Sequence, residues 1–151
     1  MDDLHHVANQ VLASQPFSQL LGATLSSVGP GSAEIRLPIT HEITQQHGYV
    51  HGGVIGYLAD NSITFAGGRA LGSDALTSEY KINFLAPALG TTLIARAQAD
   101  SIGNRQAVCR TEIYTTDGEH EHLCAMAQGT VISVTRTAGH AMHRSESLAN
   151  E

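Results

Sequence analysis

The run from His51 to Ala66 is the feature that most constrains the fold of this chain. Two glycines follow His51, and after Asp60 the next charged residue is Arg69. Apolar side chains recur at helical spacing and continue around the sides of the segment, which predicts a helix buried nearly all round. A buried carboxylate is costly unless it is paired or has a function. Asp60 is therefore the residue that needs an explanation.

Length, charge and cysteine use limit the possible functions. A chain of 151 residues is the size of one domain, and its central run is too interrupted by Gly, Asp and Asn for a membrane span. The formal net charge of −6 argues against nucleic acid as a partner. The acidic N-terminus lacks an apolar segment, so we expect no secretory signal. For Cys109 and Cys124 we expect two reduced thiols in the sheet of a cytoplasmic protein.

The rest of the chain predicts a short first helix and a sheet. Asp2 or Asp3 can cap a helix that ends near Ser14. Its apolar side chains share one predicted face: Leu4, Val7, Val11 and Leu12. Strands are expected near residues 23–28 and 33–39, and four more follow the central helix. In the first of those four, Tyr80, Ile82 and Phe84 alternate with polar residues.

One antiparallel sheet curled around one helix gives each layer an apolar partner. The predicted fold class is therefore α+β, with one long central helix wrapped by a curved antiparallel sheet of five to six strands. We predict a single domain over residues 1–136, which includes the N-terminal helix. Residues 137–151 lack periodicity, so we expect a disordered C-terminal tail.

A family resemblance is carried by the start of the central helix and the loop before it. The segment from Gln45 to Gly53 (QQHGYVHGG), followed by Leu-Ala-Asp ending at Asp60, resembles the hotdog-fold acyl-CoA thioesterases of the phenylacetate-pathway and 4-hydroxybenzoyl-CoA type. The segments 83–87 and 127–130 are similar to later strands of that family, and the resemblance covers roughly residues 20 to 135. It implies the hotdog fold, acyl-CoA hydrolysis, and homodimers with joined sheets that often pair into tetramers. Coenzyme A is then part of the substrate, and no separate cofactor is expected.

The two glycines and the aspartate also have a physical interpretation. Gly52 and Gly53 lie at a helix N-terminus, where backbone N–H groups are unpaired and the helix dipole is positive. A thioester carbonyl placed there would be polarised and its oxyanion stabilised. Asp60 would then be the general base for water or the nucleophile on the thioester. The structural alternative is a glycine pair that only starts a tightly packed helix, with Asp60 hydrogen-bonded to a neighbour such as Thr64.

Other site residues follow from the resemblance and from sequence position. Thr64 would hold the water or orient the carboxylate, and Gln45 would place an amide near the thioester. His51 is expected to donate to the loop backbone and fix the start of the helix, in preference to transferring protons. Substrate contacts are assigned to four further residues: Gly53, Tyr57, Asn83 and Phe84. The coenzyme A phosphates need cations, and the candidates are Arg69, Lys81, Arg105 and Arg110, of which we choose Arg105 because it lies next to a turn.

Several other catalytic motifs are missing. The sequence has no Gly-x-Ser-x-Gly elbow, and the His41-Glu42 pair lacks the second histidine of a zincin. His120 and His122 lie next to a turn signal, so we expect an exposed turn and no metal site. Two other functions stay open, a non-catalytic acyl-CoA binding module and a hotdog enoyl-CoA hydratase. Neither alternative involves nucleic acid or a membrane.

The spacing of Gly52 and Asp60 predicts that two chains share each active site. Eight residues of straight helix separate them, which is about 12 Å along the axis. One thioester carbon cannot lie about 3 Å from both groups if they come from the same helix. Two central helices that lie antiparallel across a two-fold axis would bring Gly52 of one chain near Asp60 of the other.

Overall fold

The protein consists of a six-stranded antiparallel sheet wrapped around one long helix, as predicted. The structure, a computed structural model, describes residues 2–134, and the predicted tail at 137–151 lies outside the described residues. The helices are α1 (Asp2–Ala13), α2 (Pro16–Leu21) and α3 (Gly52–Leu71). The strands are β1 (Thr24–Gly29), β2 (Ser32–Pro38), β3 (Ala75–Phe84), β4 (Thr92–Ile102), β5 (Gln106–Thr116) and β6 (Glu121–Ser133).

The order of the strands places β3 at one edge of the sheet. The sheet runs β1-β2-β4-β5-β6-β3, and every neighbouring pair is antiparallel. β3 follows α3 in the chain but pairs with β6, and the sheet curls around the helix. Because β3 is the last strand in this order, its other side is unpaired. The loop before α3 contains a single 3-10 turn, His41–Ile43, and a bridge between Thr44 and Val50.

Helix α3 forms the centre of the core. Leu58, Ala59, Ile63 and Ala66 of this helix are fully buried, because the inward-facing side chains of β2, β4, β5 and β6 pack on it. Gly67 allows a close approach between α3 and β6, since a Cβ atom there would lie 2.7 Å from the Cβ of Val131. Volume added at such a contact is destabilising. No helix within residues 2–134 is long and apolar enough to cross a membrane.

The structure corrects the expected burial of Asp60 and shows how far two predicted apolar faces are covered. In α1, Leu12 is buried, but Leu4, Val7 and Val11 are about half exposed, at 54%, 50% and 49%. In β3, Phe84 is 57% exposed and Tyr80 is 37% exposed, because this edge strand is covered on one side only. Asp60, which the sequence predicts to be buried, is partly exposed. Sequence periodicity predicts an apolar face but not what covers it.

Both cysteines lie in the sheet as free thiols, as expected. Cys109 is on β5 and Cys124 on β6, and both are buried. Burial raises the pKa of each thiol to about 11. Because the thiolate is the nucleophile, these side chains are inert core residues.

Candidate functional site

The N-terminus of α3 presents one unpaired backbone donor. His51 is the N-cap residue, and its Nδ1 accepts a hydrogen bond of 2.9 Å from the N–H of Gly53. His51 therefore fixes the helix start as predicted, but as an acceptor; the expected donation is wrong, because the free groups of a helix N-terminus are themselves donors. The Gly52 N–H donates to no group within residues 2–134. Gly52 is thus the donor that remains for a ligand.

A cavity opens at this donor, and we call it the N-terminal cavity. It has a volume of about 410 Å³. Its lining comes from the loop before α3, the first turns of α3 and the end of β3: Gln45, Tyr49, Val50, Gly52, Ile55, Phe84, Leu85, Ala86, Pro87 and Ala88. A Cβ atom on Gly52 would lie 3.4 Å from the Phe84 ring, so glycine keeps the helix terminus open beside this side chain. Predicted residues Gln45, Gly52 and Phe84 therefore lie in one cavity.

Gln45 is held by the loop that precedes the helix. Its backbone N–H donates to Tyr49 O at 2.8 Å, and its side-chain oxygen accepts from the N–H of His47. Gly48 closes this turn with a φ of +83°, a conformation that favours glycine. The Gln45 Nε2 group makes no hydrogen bond within the described part of the chain. The amide therefore keeps its N–H donors without a partner among the described residues, and Gln45 lines the same cavity as Gly52.

Asp60 lies away from that cavity on the same helix. α3 is unbroken from Gly52 to Leu71, so Gly52 and Asp60 are about 12 Å apart along its axis. Asp60 does not line the N-terminal cavity. Thr64 donates to the backbone oxygen of Asp60 at 2.8 Å and shares a hydrogen bond of 2.6 Å with Thr77. Within residues 2–134 Thr64 therefore contacts the carbonyl and not the carboxylate of Asp60, and its catalytic role stays a prediction.

A second cavity lies between α1 and the C-terminal half of α3, and we call it the α1–α3 groove. It has a volume of about 530 Å³. Its lining is Leu4, Val7, Ala8, Val11 and Gln15 from the N-terminal segment, Asn61, Thr64, Phe65, Gly68 and Arg69 from α3, and residues 72–75. Asn61 and Thr64 follow Asp60 by one and four residues, so the groove lies within one helical turn of Asp60, which is not itself part of the lining.

Sequence reasoning missed this groove. The apolar face predicted for α1 was the available signal, but the sequence does not show what that face packs against. Three half-exposed members of that stripe, Leu4, Val7 and Val11, form one wall. Only the packing of α1 beside α3 shows that the stripe faces a cavity.

The remaining predicted substrate contacts lie elsewhere. The N–H of Gly53 donates its hydrogen bond to Nδ1 of His51. Tyr57 lines neither cavity; its hydroxyl shares a 2.6 Å hydrogen bond with Ser18 and accepts from Asn61 at 3.0 Å, and its ring stacks edge-on against Phe17. Tyr57 therefore packs between α2 and α3, and its substrate contact stays a prediction.

Two polar predictions lie on the surface. Asn83 is exposed on β3, opposite Met126 of β6. Arg105 is exposed in the turn between β4 and β5, next to Ser133 and so at the end of the sheet where α3 ends. Neither residue lines a cavity of the single chain, and their substrate contacts stay predictions. Among residues 2–134, no three His, Cys, Asp or Glu side chains form a cluster that could hold a metal ion.

Comparison of the sequence with known proteins identifies the family. A family model described as the thioesterase superfamily matches residues 47–121. The 1,4-dihydroxy-2-naphthoyl-CoA hydrolase of Listeria monocytogenes is 31% identical over 108 residues, which are 70% of this chain and 86% of that protein. The acyl-coenzyme A thioesterase PaaI of Escherichia coli is 30% identical over 107 residues, or 70% of this chain and 76% of the relative.

Solved structures agree with the sequence comparison. A thioesterase family protein from Silicibacter pomeroyi superposes with a TM-score of 0.77 at 30% identity, over 82% of this chain and 92% of that one. A thioesterase from Haemophilus influenzae gives a TM-score of 0.78 at 27% identity, over 90% and 94% of the two chains. The similarity to known thioesterases thus extends over most of the chain. It adds to the HGG segment at the start of the long helix and to the curved sheet. This protein belongs to the thioesterase superfamily and is a thioester hydrolase with the hotdog fold.

Proposed function

We propose that the protein hydrolyses an acyl-CoA thioester to the free acid and coenzyme A. The observation that carries the proposal is the unpaired N–H of Gly52, which lies at the start of α3 and lines a cavity. The similar proteins named for their substrates act on CoA thioesters. A donor that points at developing negative charge in a site shielded from water is a major source of catalysis.

The Gly52 N–H would donate a hydrogen bond to the thioester oxygen, with the Gln45 amide as a second donor. In the first mechanism Asp60 takes a proton from water, and the hydroxide adds to the thioester carbon. The resulting oxyanion is stabilised by Gly52, the C–S bond breaks as the oxyanion collapses to the free acid, and protonated Asp60 returns its proton to the departing thiolate of coenzyme A. In the second mechanism the Asp60 carboxylate attacks the thioester carbon, and the C–S bond breaks to release the thiolate and leave a mixed anhydride. Water then hydrolyses the anhydride to the free acid and the Asp60 carboxylate, and the proton released in this step neutralises the thiolate.

The site requires Asp60 from a second copy of the chain. Because α3 is unbroken between Gly52 and Asp60, the two groups of one chain are about 12 Å apart along the axis, too far to act on one carbon. A homodimer in which two α3 helices lie antiparallel would supply both groups twice. In this arrangement the Asp60 carboxylate, which makes no hydrogen bond or salt bridge within residues 2–134, would face the helix N-terminus of the second copy.

The edge strand β3 offers the surface for this dimer. It is ten residues long, its outer side is unpaired, and it carries exposed apolar side chains at Leu76, Tyr80 and Phe84. Long exposed edges of this kind pair with another chain unless they are protected. Two β3 strands that pair across a two-fold axis would join the sheets and place the two α3 helices side by side. A pair of such dimers would form the proposed homotetramer, and the two free cysteines fit a cytoplasmic location.

A direct assay separates this function from its alternatives. Thiol release should be measured with several acyl-CoAs of different length, in parallel with the absorbance change of enoyl-CoA hydration. Thiol release that depends on Asp60 supports the proposal. Loss of the enoyl absorbance without thiol release would show a hydratase, and tight binding without either reaction would show a binding module.

A further inference from the structure

Gly56 lies in the interior of α3, where a glycine is unfavourable. It is buried, and glycine destabilises the interior of a helix relative to alanine. Apart from the backbone of its own helix, a Cβ atom at this position would have one neighbour within 4 Å among residues 2–134. That neighbour is the hydroxyl oxygen of Tyr80, at 3.1 Å. Gly56 therefore leaves room for the Tyr80 hydroxyl.

The Tyr80 side chain lies along the face of α3 that carries Asp60. Tyr80 is paired with Gly129 across β3 and β6, and a Cβ atom on Gly129 would lie 2.7 Å from Tyr80 Cβ and 2.8 Å from Ile63 Cδ1. The side chain thus starts near Ile63, and its hydroxyl ends at Gly56. Gly56, Asp60 and Ile63 follow one another at spacings of four and three residues, so they share one face of the helix.

The Asp60 carboxylate and the Tyr80 hydroxyl border the same space. A helical side chain leans toward the N-terminus of its helix, over the residue four positions earlier. For Asp60 that residue is Gly56, which has no side chain to fill the space. Within residues 2–134 neither the carboxylate nor the hydroxyl makes a hydrogen bond, and Asp60 forms no salt bridge. Two polar groups without partners therefore lie about one helical turn apart.

Two other hydroxyls near Asp60 already have partners. Thr64 donates its proton to the backbone oxygen of Asp60 at 2.8 Å. The 2.6 Å hydrogen bond between Thr64 and Thr77 is therefore donated by Thr77. Both threonine protons are thus used inside the chain. The hydroxyl of Tyr80 is the one that stays available beside this carboxylate.

We propose that Tyr80 is a further catalytic residue, whose hydroxyl holds the attacking water against the Asp60 carboxylate of the same chain. The inference rests on the proposed hydrolysis in which Asp60 takes a proton from water. A water molecule between the two groups can donate one hydrogen to the carboxylate and the other to the Tyr80 oxygen. A lone pair of the water then remains for the thioester carbon.

Tyr80 is not consumed in this step. As the new C–O bond forms, one proton moves from the water to Asp60 and then to the departing thiolate. The other proton stays with the product acid, and Tyr80 remains a neutral phenol. Because α3 and β3 belong to one chain, this contact does not depend on the second copy, which supplies the N–H of Gly52.

Removing the hydroxyl tests the inference. Tyr80→Phe keeps the ring, so kcat should fall about 3- to 10-fold, the scale of one hydrogen bond, while KM changes less than about 2-fold. In an Asp60→Asn background the same substitution should have no further effect on kcat, because the water is no longer activated. The matched control is Tyr114→Phe, which removes a hydroxyl that donates to Glu112 at 2.6 Å; it should keep kcat and KM.

A second variant displaces the hydroxyl without removing it. Gly56→Ala adds a methyl group that would lie 3.1 Å from the Tyr80 oxygen, so the hydroxyl must shift and kcat should fall. In a Tyr80→Phe background that oxygen is absent. Gly56→Ala should then leave kcat unchanged and raise the melting temperature, because alanine favours the helix.

Three results would overturn the proposal. Wild-type kcat in Tyr80→Phe would show that the water is held without this hydroxyl. An equal loss of kcat by Tyr80→Phe with and without the Asp60 carboxylate would show that the side chain acts through packing. Equal effects of Gly56→Ala in both backgrounds would show that the added methyl group does not act on the hydroxyl.

The choice of substrates separates this inference from the proposed hydrolysis of acyl-CoA. Acetyl, octanoyl and benzoyl groups are each tested as the CoA thioester and as the thioester of N-acetylcysteamine, which lacks the nucleotide end of coenzyme A. Hydrolysis of the small thioesters alone would contradict acyl-CoA as the substrate, and the Tyr80→Phe comparison would still decide the inference. If the wild type hydrolyses none of the six, both proposals are wrong.

Discussion

At the scale of single residues, the proposed chemistry depends on two groups of different kinds. Gly52 contributes a backbone N–H that no group in residues 2–134 accepts, and Asp60 contributes a carboxylate on an otherwise uncharged stretch of α3. The neighbouring N–H of Gly53 is not available, because it already donates a hydrogen bond to Nδ1 of His51. The site therefore offers one backbone donor from the helix terminus and not two.

Replacing Asp60 by Asn should separate catalysis from binding. Asn has the same shape but cannot take a proton or act as a nucleophile, so kcat should fall by on the order of 10² or more. Folding and acyl-CoA affinity should be kept, as measured by thermal unfolding and calorimetry. The matched control is Asp100→Asn, which removes an exposed carboxylate paired with Arg110. Near wild-type turnover in Asp60→Asn would exclude Asp60 as base or nucleophile.

Arg105 provides a second test at the residue scale. It is exposed in the β4–β5 turn, and we assign it to the coenzyme A phosphates. Arg105→Ala should raise KM more than it lowers kcat, as expected for the loss of binding that is equal in the ground and transition states. Steady-state kinetics at two salt concentrations measure this effect, with Arg36→Ala as the surface control. An unchanged KM would remove Arg105 from the binding site.

At the scale of elements, the outward face of the sheet is stabilised by an ionic network. Glu34 of β2 accepts from Arg96 of β4 at 2.7 Å, from Arg36 at 2.9 Å and from Ser26 at 2.7 Å. Arg96 also makes a bidentate pair with Glu121 at the start of β6. Partial burial alone would raise the pKa of Glu34, but the hydrogen bonds from Ser26, Arg96 and Arg36 outweigh it and lower the pKa to about 2.

This lowered pKa predicts a dependence of stability on pH. The ionised form of Glu34 is favoured by folding, so its contribution is present above the ordinary pKa of 4.5 and is lost as the pH falls toward about 2. Glu34→Gln should therefore be less stable than the wild type at neutral pH, and the difference should shrink through this acid range. Urea unfolding at a series of pH values measures it. A difference that does not change with pH would show that Glu34 acts through packing and not through its charge.

At the scale of the whole molecule, one chain holds the parts of two incomplete sites. The N-terminal cavity contains Gly52 and Gln45 without a carboxylate, and the α1–α3 groove lies within one helical turn of Asp60 and contains no unpaired helix N-terminus. The proposed dimer combines the donor of one copy with the carboxylate and the groove of the other. Substrate would then span the boundary between two chains.

Mixed dimers test this arrangement. Asp60→Ala removes the carboxylate. Gly52→Pro removes the backbone donor, and proline is well tolerated at the first position of a helix. Each variant alone should be folded and inactive, but a heterodimer contains one intact site. Its activity should return toward about half of the wild-type value per dimer. Verified heterodimers that stay inactive, or an active wild-type enzyme that sediments as a monomer, would contradict the shared site.

Local sequence spacing determined the central helix, the strands around it and the candidate donors. The apolar run after the HGG segment predicted α3, and alternation predicted strands that coincide with β2 and β4–β6, because these periods depend only on neighbouring residues. The position of Asp60 relative to Gly52 predicted two separated groups on one helix, and the unbroken α3 confirmed the separation.

Contacts between distant segments decided the rest. The apolar stripe predicted for α1 faces a groove over part of its length, since burial depends on what packs against a face and not on its pattern. Pairing of β3 with β6 left β3 at the edge of the sheet, although three later strands follow it in the chain. The unpaired N–H of Gly52 and the unpaired hydroxyl of Tyr80 are visible only in the folded chain, because whether a donor is satisfied depends on which groups the tertiary structure brings within hydrogen-bonding distance of it.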